Sequence, residues 1–74
     1  MKKEIKYTRH AKRRMKWRKI TEEEVRLTLL NPDQTEDSIK GRINACKTIG
    51  FKYIKVTYKE WLNEILIISV VNKA

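Results

Sequence analysis

Ile20-Thr21-Glu22-Glu23-Glu24-Val25-Arg26-Leu27-Thr28-Leu29-Leu30-Asn31-Pro32-Asp33 divides the chain into a helical part and a stranded part. Thr21 with Glu24 three residues on is a capping box, in which each side chain accepts a hydrogen bond from the other's backbone amide. Three consecutive glutamates also suit the positive end of a helix dipole. Ile20 before the cap and Val25 at the fourth helical position form a hydrophobic staple. Val25, Leu29 and, one residue off the stripe, Leu30 supply a buried face. Asn31-Pro32 ends the helix, because proline pushes the residue before it out of helical dihedrals.

Beyond Asp33 the apolar period changes from 3.6 to 2, which predicts four strands. The first, about Gln34 to Ile39, is polar and suits an edge. Lys40-Gly41 turns the chain into Arg42 to Ile49, and Gly50 into Tyr53 to Glu60. In that third strand Ile54, Val56 and Tyr58 face one way and Tyr53, Lys55, Thr57 and Lys59 the other. Ile65 to Val71 is apolar on both faces, the pattern of the best-buried strand. Upstream, Ile5-Lys6-Tyr7 reads as an extended lead-in. Thr8 is an N-cap for a helix from about Arg9 to Trp17 that buries Ala11 and Met15. This order predicts one α+β domain over residues 1–74: two N-terminal helices packed on one face of a four-stranded antiparallel sheet.

At 74 residues the chain supports one small core. One cysteine, Cys46, and one histidine, His10, provide neither a disulfide framework nor a Cys/His metal set, so no metal and no cofactor is expected. Cys46 lies mid-strand and reads as a buried, inert thiol. No apolar run is long enough to span a bilayer, and no apolar segment follows Lys2 and Lys3 as a secretory signal would. A cytoplasmic location with no membrane partner is the expectation.

The net charge of +9 is confined to one quarter of the chain. Met1 to Lys19 holds ten Lys/Arg against Glu4 alone, whereas the remainder has eight basic and eight acidic side chains. Such concentration steers polyanions to one surface and costs stability through self-repulsion. It points to a phosphate-rich or acidic partner. A helix-turn-helix DNA reader is disfavoured, because the second helix would bring Glu22, Glu23 and Glu24 to the phosphates.

Tyr7-Thr8-x-His10-Ala11-x-x-Arg14-Met15-x-x-Arg18-x-Ile20-x-x-x-x-Val25, then Asn31-Pro32-Asp33 and Gly41-Arg42, resembles a family of small prokaryotic domains related to BrnT toxins and, more distantly, to RelE/ParE-type toxins. The resemblance implies a RelE-like fold, an acidic antitoxin protein as partner, and in active relatives metal-free endoribonuclease activity on RNA or ribosome-bound mRNA. Such chains tend to carry arginines around the Ile67-Ile68-Ser69 segment. Here no arginine follows Arg42.

Cleavage through a ribose 2′-OH needs a proton acceptor, a proton donor and cations at the phosphate. His10, the side chain that titrates nearest neutrality, is the acid/base candidate, or else a structural residue beside the sheet. Arg14, Arg42 and Lys55 complete the expected catalytic set. Arg14 and Arg18 either grip phosphate or pair with Glu22 or Glu24. Arg9, Lys12, Arg13, Lys16 and Arg18 are the expected RNA contacts, with Tyr53 stacking a base beside Lys55 or serving as an ordinary β-former. Trp17 and Trp61 are expected in the core or at its rim. A binding module of the same fold without cleavage is the alternative.

Overall fold

The computed structural model of the protein describes residues 3–73. In chain order the elements are β1 (Glu4–Tyr7), α1 (Arg9–Arg18), α2 (Glu22–Leu30), β2 (Gln34–Asp37), a short 3-10 turn (Ile39–Gly41), β3 (Ile43–Ile49), β4 (Lys52–Glu60) and β5 (Glu64–Asn72). They form one five-stranded sheet in the order β1-β5-β4-β3-β2.

The α+β class holds, and the four-stranded antiparallel sheet does not. The Ile5-Lys6-Tyr7 lead-in is a fifth strand, parallel to β5 in the register Glu4 to Glu64 through Tyr7 to Ile67. The other pairs are antiparallel, so the sheet is mixed. The parallel pairing turns Ile5 and Tyr7 toward the core and places β5 inside the sheet. That explains an apolar β5 better than burial on both faces does. Ile67 and Val70 are fully buried, while Leu66, Ile68 and Val71 are half-buried.

Local signals in the helices act as expected. The Thr8 hydroxyl accepts from the Ala11 amide at 3.0 Å and donates to the Ile68 carbonyl at 3.1 Å, so one side chain caps α1 and ties it to β5. Both halves of the Thr21/Glu24 capping box form. Ile20 and Val25 lie in the core. Leu30, expected inside, is exposed, and the fully buried Thr28 takes the inward position, its hydroxyl bonded to the Glu24 carbonyl.

Ala11, Met15, Ile20 and Val25 pack on Ile54, Val56, Ile67 and Val70, all on one face of the sheet. Each of these four fully buried strand residues contributes about 1.5–3 kcal/mol of apolar transfer energy. Opposite Thr57 and Tyr58 the β4–β5 register slips, leaving Ile68 without a cross-strand partner. This bulge lets Tyr58 and Val56 both serve the core although Ile67 and Val70 are three residues apart. Gly50, with φ +60°, turns β3 into β4 through the two-residue connection Gly50-Phe51. Among the described residues no helix is long and apolar enough to cross a membrane.

Candidate functional site

α1 spends only a narrow stripe on the core. Ala11 and Met15 are buried and Arg14 is half-buried, while Arg9, His10, Lys12, Arg13, Lys16, Trp17 and Arg18 are exposed. Lys16 and Arg18 lie in the last turn, where the helix dipole favours positive charge; no acid occupies the first turn. Lys19 closes the helix in the left-handed region (φ 56°).

Seven cations occur from Arg9 to Lys19, and none forms an ion pair among the described residues. Lys12 instead lies 6.0 Å from the centre of the Tyr7 ring. The pairing of Arg14 or Arg18 with Glu24 that the sequence allowed is pre-empted: Lys52 takes Glu24 at 3.0 Å and also donates to the Lys19 carbonyl at 2.6 Å. Partial burial opposes ionisation of Glu24, but the Thr21 amide and the Lys52 ammonium hold its carboxyl below the ordinary range. Four other acids are held in ion pairs, Glu60 by Lys3, Glu4 and Glu64 by Lys6, and Asp33 by Lys47. The Thr48 amide, with help from Lys47, likewise keeps Asp33 ionised to lower pH. Lys2 lies outside the described residues.

The sheet face away from the helices carries Tyr53, Lys55 and Thr57 of β4, with Asn44 and Cys46 of β3 directly across from Thr57 and Lys55. Thr57 donates to the Asn44 side chain at 2.7 Å. Cys46 is buried here although no helix covers this face. The neighbouring Cys46 side chain raises the Tyr53 phenol above its ordinary range, and burial and the charges of Asp33 and Glu36 add to this.

The four residues expected to cleave RNA do not meet. α1 packs on the Ile54–Val56 side of the sheet, whereas Lys55, between those two in sequence and opposite Cys46, projects from the other side. Arg42 precedes Ile43, the partner of Tyr58, and so stands level with Lys59, four residues from Lys55 or roughly 13 Å at strand rise. No hydrogen bond or ion pair joins any two of His10, Arg14, Arg42 and Lys55 among the described residues. The cations of α1 share one helix among the described residues.

Trp17 corrects the sequence reading: it is 76% exposed on α1. The signal was present, since two residues beyond buried Met15 a helix has turned about 200° and points outward. Trp61, 45% exposed, does sit at the rim, with the Lys59 ammonium 5.5 Å from its ring. A separate open groove of about 740 Å³ runs between α2 and β1, floored by Ile5, Tyr7 and Ile65 and walled by Glu22, Arg26 and Leu29. Burial, then the Glu22 carboxylate, raise the Tyr7 phenol, partly offset by Arg26.

Residues 7–72 match the model of a family described as Domain of unknown function (DUF4258). Neither the curated proteins nor the solved structures contain a match to the chain.

Proposed function

We propose that this chain, which belongs to the DUF4258 family, binds RNA through the outward face of α1. The observation that carries the reading is the group of seven cations on Arg9 to Lys19 without an acidic partner among the described residues. Lysine and arginine close together on one face release condensed counterions when phosphates replace solvent, and that release drives association. Arg9, Arg13 and Lys16 form the centre of the contact, with Lys12, Arg14 and Arg18 on its flanks. An acidic antitoxin-like protein would compete for the same face.

Titrating a labelled RNA with the protein at several salt concentrations tests this. Affinity falls as salt rises, with a log–log slope of about −0.7 for each phosphate neutralised on a single strand. Arg13→Glu with Lys16→Glu flattens the slope and weakens binding at least tenfold at low salt. An affinity indifferent to salt, or to these charge reversals, refutes the reading.

Cleavage is the second reading, favoured by the resemblance of the His10-Ala11-x-x-Arg14 segment to toxin chains. It requires RNA products with 2′,3′-cyclic phosphate ends that disappear in His10→Ala. Intact RNA recovered from a saturated complex leaves binding alone.

A further inference from the structure

Two large aromatic side chains stand exposed on segments that meet through Lys52. Phe51, at the tip of the β3–β4 connection, is 101% exposed, and Trp17 stands out from the last two turns of α1. The Lys52 ammonium joins the two segments through the Lys19 carbonyl, so Phe51 and Trp17 flank a single junction. Around it are Lys16, Arg18 and Lys19, and Lys73, whose amide bonds the Tyr53 carbonyl. Neither ring contributes to the core.

We propose that Trp17 and Phe51 stack unpaired nucleobases, and hence that the RNA taken at this junction is single-stranded. The inference rests on the RNA reading above and adds what charge alone does not specify. Cations contact a duplex and a single strand alike through phosphates, whereas an aromatic ring gains a partner only from a base freed from its stack. Exposed aromatic rings among cations, on a small fold with a fully formed core, fit such a ligand. Phosphates follow Lys16, Arg18 and Lys19 while the bases turn onto the two rings.

The test compares an unstructured oligouridine of about 12 nucleotides, within the usual single-strand site size, with a duplex of equal length at one low salt concentration. Trp61→Phe leaves Trp17 as the sole tryptophan, so its emission reports stacking. Single-stranded RNA binds on the order of tenfold tighter than duplex and quenches Trp17. Trp17→Ala and Phe51→Ala each remove on the order of tenfold from single-strand affinity and leave duplex binding unchanged. Both positions are exposed, so thermal midpoints stay at the wild-type value. Equal affinity for both RNAs, with no quenching and no effect of the two substitutions, overturns this inference while leaving RNA binding in place. Binding of neither RNA overturns both. A blue shift of Trp17 with phosphatidylserine vesicles, without quenching by RNA, assigns the rings to a membrane surface and also overturns it.

Discussion

Arg9 illustrates how single residues here trade stability against charge. It occupies the first position of α1, where the helix dipole disfavours a cation and no acid offsets it. Arg9→Glu is expected to stabilise the fold by about 0.3–1 kcal/mol in urea titrations, while weakening RNA binding. A variant that is both more stable and tighter-binding would contradict the assignment of this face. Glu24 works in the other direction. Its carboxyl is held below the ordinary range by Thr21 and Lys52, so its contribution is present at neutral pH, above the unfolded-state value. That contribution fades as pH falls through the lower, folded-state value. Gln at this position retains the capping geometry and removes the charge. Glu24→Gln should therefore cost about 1–2 kcal/mol at pH 7, and the gap between the two proteins should close as acid protonates Glu24. A gap that persists in acid would show that shape, not charge, is what Glu24 supplies.

At the scale of elements, what was legible in the sequence followed the range of the interaction. The capping box at Thr21, the N-cap at Thr8 and the stop at Asn31-Pro32 are written within a few residues, and each forms as read. β4 alternates visibly, with Ile54 and Val56 buried toward the helices and Tyr53, Lys55 and Thr57 less buried on the other face. β1 is only four residues long, and its partner lies sixty positions downstream. Nothing local distinguishes such a strand from an extended leader, so the sheet was undercounted. The expected cleavage set failed to gather for a related reason. His10 and Arg14 lie on a helix and Lys55 on a strand as read, whereas Arg42 stands in the link before β3 instead of in the strand, and which side of the sheet α1 covers depends on that long-range pairing. Substituting Ile5 by proline tests the strand directly, since it removes an amide and a core side chain together. The expected loss is about 3 kcal/mol or more in equilibrium unfolding; a loss below 1 kcal/mol would mean that β1 is dispensable.

For the whole molecule, the uneven charge sets the conditions under which the fold is comfortable. Cations on α1 repel one another across a few ångströms of solvent, and salt screens that repulsion over about 10 Å at 0.1 M. Raising salt from about 0.02 to 0.5 M should lift the thermal midpoint by several degrees, because about 1 kcal/mol moves a domain of this size by roughly 4–8 °C. Arg13→Glu with Lys16→Glu should blunt the rise. A midpoint that falls with salt would mean that the surface pairs Lys6–Glu64 and Lys47–Asp33 matter more than the repulsion.

The pairing of β1 with β5 also sets a schedule for biosynthesis. β1 is translated sixty residues before the strand it pairs with. Until Ile65 and Ile67 have been translated, the basic helix lacks the strand it packs on.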